Sequence, residues 1–147
     1  MRNVTNPAHG RAFENLLAHQ ARRLDLWLIS NGTKLKYLPG GKTLAVRSDL
    51  DFRLVNRQGQ QMVFDAKSVA GDHFVYSFLT PHQVLRAKEY ARWKVRAGFV
   101  VHLREIRTIV YYDIQTIERA GPRSRFTAQD GRILGPDSHF ALSLVFA

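Results

Sequence analysis

The run Ala97 to Leu103, with Thr108 to Tyr112 just after it, constrains this chain more than any other stretch. Both read as strands, and the first is apolar at nearly every position. A strand that is apolar on both faces must be covered on both, so it belongs in the middle of a sheet. Thr80-Pro81 opens a helix ahead of it, with Thr80 as N-cap and proline at the first helical position. That helix continues through Tyr90 and Trp93 to about Val95.

Earlier in the chain, Phe13, Leu16, Leu17, Leu24, Trp27 and Leu28 fall close to helical spacing, which predicts a helix from about Gly10 to Ser30. Asn31-Gly32 is read as its stop. Four short strand-like runs follow: Leu35 to Leu38, Thr43 to Arg47, Leu50 to Val55 and Gln61 to Ala66. Pro39-Gly40-Gly41 breaks the first pair, and Asn56 to Gln60 breaks the second, so Leu50 to Ala66 reads as a β-hairpin. After the polar stretch Ser68 to Asp72, Phe74, Tyr76 and Phe78 alternate as on a short strand, a pattern of core or dimer interface. The segment after Gly121 is rich in Gly, Pro, Arg and Ser, and no element is assigned there. The order is helix, antiparallel strands, helix, strand, strand, within one α/β domain, and no repeat or interdomain linker interrupts it.

The 147 residues suit one domain, and a hydrophobic share of 45% is enough for one core. No apolar run approaches the roughly eighteen residues of a membrane helix, and the N-terminus lacks the apolar region of a signal peptide. The absence of cysteine removes disulfides, thiolate zinc sites and cysteine nucleophiles, and a cytoplasmic protein is expected. Twenty-two Lys and Arg against 12 acidic residues give a formal net charge of +10, a field that attracts polyanions. Nucleic acid is the expected partner. A membrane surface is not, since no long helix sets Lys and Arg against a bulky apolar face.

The hairpin holds the residues best suited to chemistry. Asp51 lies on its first strand and Asp65-Ala66-Lys67 ends its second. Residues two apart on a strand share a face, so Asp65 and Lys67 project together, and strand pairing brings Asp51 beside Asp65. Two converging carboxylates repel unless a cation lies between them, and hard oxygen ligands suit Mg²⁺ or Mn²⁺. A D-x-K triplet also occurs on solvated strand faces, although here Met62-Val63-Phe64 and Ala66 flank it. Asp49 shares a face with Asp51 and competes with it as a ligand. Glu14 is a lone helical carboxylate, a type that is usually a solvated surface residue. His82-Gln83 lies in the first turn of the second helix, where polar side chains meet free amides. The six histidines show no paired ligand spacing, and no serine elbow, P-loop or dinucleotide-binding glycine motif is present.

Together, Gly10-x-x-Phe13-Glu14, Asp51-Phe52, Phe64-Asp65-Ala66-Lys67-Ser68 and His82-Gln83 resemble the RecU-type Holliday-junction resolvases of the PD-(D/E)xK nuclease superfamily. The resemblance implies a restriction-endonuclease-like domain with a central mixed β-sheet flanked by helices. It implies Asp51 and Asp65 as ligands of Mg²⁺, for which Mn²⁺ can substitute, with Glu14 completing or supporting the site. Lys67 is then the catalytic lysine, and Gln83 positions the site or the DNA backbone. It also implies a homodimer that nicks opposing strands of a four-way junction symmetrically. The chain departs from the pattern in carrying Asp65 where the family has Glu, in a slightly longer hairpin turn, and in little room for a stalk between Tyr37 and Val46. A compact, phage-encoded variant fits these departures. Arg11, Lys34, Lys36, Lys42 and Arg47 are the first candidates for phosphate contacts, with Ser68 and His82 beside the site. Arg86, Lys88, Arg92, Lys94 and Arg96 form a second cluster, which reads equally as a solvated helix face. Two rivals stay open, another PD-(D/E)xK endonuclease and a DNA-binding protein without catalysis.

Overall fold

The computed structural model describes residues 7–31, 34–46 and 49–147, with side chains described from residue 8 onward except at 34–36 and 44–46. Helix α1 (Pro7–Arg23) buries Phe13, Leu17, Gln20 and Ala21 along one stripe, and Arg22 and Arg23 in its last turn complement the helix dipole. It ends seven residues earlier than the periodicity predicts, for Asp25 turns left-handed at φ 58 and Trp27–Ser30 forms strand β1. Aspartate tolerates that conformation. Trp27 and Ile29 suit a strand, and backbone pairing with a neighbour distant in sequence outweighs local helical spacing.

Strands β2 (Lys34–Tyr37) and β3 (Thr43–Val46) pair as a separate antiparallel ribbon across Gly40 and Gly41, at φ 86 and 76. The expected hairpin is β4 (Phe52–Val55) and β5 (Gln61–Val69), with Phe52 opposite Phe64 and Val55 opposite Gln61. The Asn56 side-chain oxygen closes its turn by accepting the N–H groups of Gln58 and Gln60 at 3.1 and 2.9 Å.

The aromatic stretch differs from expectation. Only β6 (His73–Val75) is strand, and Tyr76–Phe78 is a 3₁₀ turn. Phe74 enters the core, stacked on Phe126 at 4.8 Å between ring centres, and β6 pairs with β9 (Arg125–Thr127). Helix α2 (Pro81–Arg92) starts at Thr80 as expected and leads into β7 (Arg96–Leu103). That strand is central, parallel to β5 on one side and antiparallel to β8 (Thr108–Asp113) on the other. Gly98 is required there, because a Cβ would stand 2.3 Å from the Tyr112 carbonyl oxygen. Helix α3 (Ile114–Ala120) follows β8, and the glycine-rich tail returns as β10 (Arg132–Pro136) to extend the sheet.

The main sheet thus runs β1-β4-β5-β7-β8-β10, mixed in direction, with a core on each face. On one face α1 packs with Phe52, Phe64, Val100 and the tail residues Phe140, Leu142 and Val145. On the other, α2 and α3 pack through Val84, Ala87, Ile114 and Ile117 against Val63, Phe99 and Val101. Among the described residues no helix is long and apolar enough to cross a membrane.

Candidate active site

Alternation along β5 decides which face the hairpin chemistry occupies. Phe64 points into the α1 core and Val63 into the α2 core, so Asp65 and Lys67 lie on the α2 side, as does Val69. Asp65 is buried at 1% exposure, and its Oδ1 accepts the backbone N–H of Asp51 at 2.6 Å. The two residues stand side by side where β4 begins, with Asp51 half-buried. Asn31 holds this segment from the β1 side: its N–H donates to the Asp51 carbonyl at 2.7 Å and its amide Nδ2 to the Leu50 carbonyl at 3.0 Å.

Asp49 lies two residues before Asp51. Its carboxylate accepts the Tyr90 hydroxyl at 2.6 and 2.8 Å and the N–H of Leu50 at 2.8 Å, and Arg86 approaches it at 3.5 Å. The guanidinium groups of Arg53 and Arg86 lie 5.7 and 5.3 Å from the centre of the Tyr90 ring. Burial, then the hydrogen bond to Asp49, pushes the Tyr90 phenol above its ordinary pKa, so it stays a donor. Both carboxylates stand at this end of β4: Asp49 hydrogen-bonded to Tyr90, and Asp51 beside Asp65. Sequence reading missed Tyr90 and Asn31; the one available signal was Arg86 and Tyr90 at helical i, i+4 spacing on α2.

Gln83 is buried at 4% exposure in the first turn of α2. Its side-chain oxygen accepts the Thr80 N–H at 3.0 Å while its own N–H donates to Thr80 Oγ1 at 3.1 Å, a capping box that fixes this residue. His82 beside it is exposed. Ser68 is not brought to the Asp65 and Lys67 face. It pairs in register with His102, whose ring lies 5.3 Å from that of Phe13, so it faces α1. Its hydroxyl is buried without a hydrogen-bond partner among the described residues.

Glu14 and Arg11 are exposed on α1, the helix that covers the opposite face of the sheet. Lys42 is exposed beside the β2–β3 turn. Lys34 and Lys36 lie on β2, but their side chains, and Arg47 entirely, fall outside the described residues. Among the described residues no group of three or more His, Asp or Glu is placed to hold a metal ion. What the fold assembles is Asp51 and Asp65 side by side in the hairpin, with Lys67 on the same face of β5 as Asp65. Such an all-oxygen pair fits a Mg²⁺ ion that keeps most of its waters, and does not fit a closed tetrahedral zinc site.

No family model matches the chain, and comparison with curated proteins gives no match. Among solved structures, the chain is similar to Hjc, a Holliday junction resolvase from the archaeal hyperthermophile Archaeoglobus fulgidus. The TM-score is 0.60 at 15% identity, covering 84% of this chain and 95% of that one. A structure of SSO0001 matches at a TM-score of 0.41 and 16% identity, over 71% of this chain and 48% of that one. The fold is thus that of a restriction-endonuclease-type α/β domain as found in an archaeal junction resolvase. The solved neighbour is of the Hjc kind, and nothing among the comparisons points to the RecU type expected from the motifs.

Proposed function

We propose that this protein is a metal-dependent endonuclease that resolves four-way DNA junctions. The observation that carries the reading is the contact between the buried Asp65 carboxylate and the Asp51 N–H at 2.6 Å, with Lys67 two residues on along the same face. The shared fold with a junction resolvase and the formal charge of +10 support it. Asp51 and Asp65 are the residues that would hold Mg²⁺ or Mn²⁺. When bound, such an ion lowers the pKa of a coordinated water and offsets charge on the phosphate.

The chain's own groups do the rest. The peptide N–H of Asp51 orients the Asp65 carboxylate, so that its remaining oxygen has a fixed direction. Lys67, on the same face of β5 as Asp65, would align the attacking water or stabilise the extra negative charge of the phosphate in the transition state. Gln83, locked by its capping box, positions the backbone of the bound strand. Glu14 is assigned a supporting place only, given its exposure on α1. Arg11, Lys42 and His82 are exposed and suit phosphate contacts. Paired symmetric nicks need two sites related by a two-fold axis, which a homodimer supplies.

The test is cleavage of labelled four-way junction, linear duplex and single strand, with Mg²⁺ and with EDTA. Paired nicks in the junction alone, lost with EDTA, support the proposal. Cutting of all three substrates assigns the protein to a general nuclease, and binding without cutting to a non-catalytic DNA-binding role.

A further inference from the structure

A second basic surface lies away from the carboxylate pair. A cleft of about 750 Å³ opens where α2, β7, β8 and α3 meet, lined among others by Lys94, Arg96, Arg119 and Arg132. Two carboxylates, Asp113 and Asp130, also line it, and both are already engaged. Asp113 accepts the Gln115 N–H at 2.9 Å and the Tyr111 hydroxyl at 3.0 Å. Asp130 accepts the N–H and hydroxyl of Thr127 at 2.8 and 3.1 Å. Arg96 is anchored by the Val145 and Ala147 carbonyl oxygens at 2.6 and 2.9 Å. The side chains of Lys94, Arg119 and Arg132 are exposed and make no hydrogen bond or ion pair with any described residue. Four cations and two aspartates therefore line the recess, and of the cations Lys94, Arg119 and Arg132 are the three not already tied to the protein.

We infer that this cleft is a second DNA contact, binding the phosphodiester backbone of a junction arm beyond the cleavage site through Lys94, Arg119 and Arg132. The inference rests on the reading of the protein as a DNA nuclease. Distance supports a flanking contact. Ala91, near the C-terminal end of α2, lines the cleft, whereas Gln83 lies in the first turn. A helix of 12 residues is roughly 18 Å long, about five base pairs of duplex. One DNA arm can thus span from the site region to the cleft. Contacts of this kind add affinity and orientation without reading sequence.

The test is the salt dependence of junction and duplex binding in EDTA, measured by fluorescence anisotropy. Wild type is compared with Lys94→Asn/Arg119→Gln/Arg132→Gln and with a control, Arg22→Gln/Arg123→Gln/Arg125→Gln, which removes equal charge from exposed positions outside the cleft. The cleft variant should lose about 2 to 3 from the slope of log K against log salt, with binding weaker on the order of tenfold. The control should lose less than about 1. Equal losses in both variants, or an unchanged slope in the cleft variant, would overturn the inference. Wild-type protein that binds neither DNA would instead sink the nuclease reading, and this inference with it.

Discussion

The Asp65 carboxylate accepts the backbone N–H of Asp51 at 2.6 Å, so the hairpin places its two candidate ligands in direct contact. Asp65→Asn keeps an oxygen able to accept that N–H, and the fold should survive. Mg²⁺-dependent junction cleavage should disappear while junction affinity in EDTA changes less than about threefold. Glu14→Gln, on the exposed face of α1, should retain most of the cleavage. Near wild-type cutting by Asp65→Asn would refute the metal site, and complete loss in Glu14→Gln would promote Glu14 to a ligand.

Tyr90 donates its hydroxyl to Asp49, which lies two residues before Asp51 and also accepts the Leu50 N–H. Tyr90→Phe removes only a hydroxyl and should cost about 1 kcal/mol of stability. Because it releases the segment leading into Asp51, it should also weaken Mn²⁺ binding roughly tenfold. Asp49→Asn can still accept the Tyr90 hydroxyl and should keep its metal affinity. If Asp49→Asn abolished Mn²⁺ binding in a titration, Asp49 rather than Asp51 would be the ligand.

Phe140 tests whether the tail is structural. It is fully buried in the same cluster as Phe13 and Leu17 of α1, which lie at the other end of the sequence. Phe140→Ala should destabilise the protein by about 3 to 5 kcal/mol, lowering the thermal midpoint by roughly 10 °C. An unchanged midpoint would mean that the tail does not pack on α1.

His102 gives stability a pH dependence. Burial lowers its pKa below the ordinary 6.5, opposed by the hydrogen bond to Asp137 at 3.1 Å, while Arg104 and His9 lower it further. The unfolded chain therefore binds this proton first as pH falls. The His102 contribution should be complete above about pH 6.5 and decline as the solution is acidified below it. Thermal melts at about pH 7 and about pH 5 should differ less in His102→Gln than in wild type. Equal slopes in the two proteins would assign the acid sensitivity elsewhere.

Much of this molecule was legible before folding, and each legible part rests on a local cause. Apolar residues on both faces of Ala97 to Leu103 required a central strand, and β7 is one. Thr80-Pro81 set the start of α2 through a capping box written into neighbouring residues. The turn residues of Asn56 to Gln60 fixed the hairpin and so the pairing of Asp51 with Asp65. Local spacing could not end α1 at Arg23, because β1 exists only by pairing with β4. Nor could it give the tail a strand, since β10 is made by hydrogen bonds to β8. The hydrogen bond of Tyr90 to Asp49, the turn of Ser68 toward α1 and the gathering of Lys94, Arg119 and Arg132 were likewise settled only in three dimensions. The amino-acid sequence alone determined which residues could do chemistry, because period and turn propensity act over a few residues. Which of them meet was decided by the tertiary structure, through pairings and burial between segments far apart in the chain.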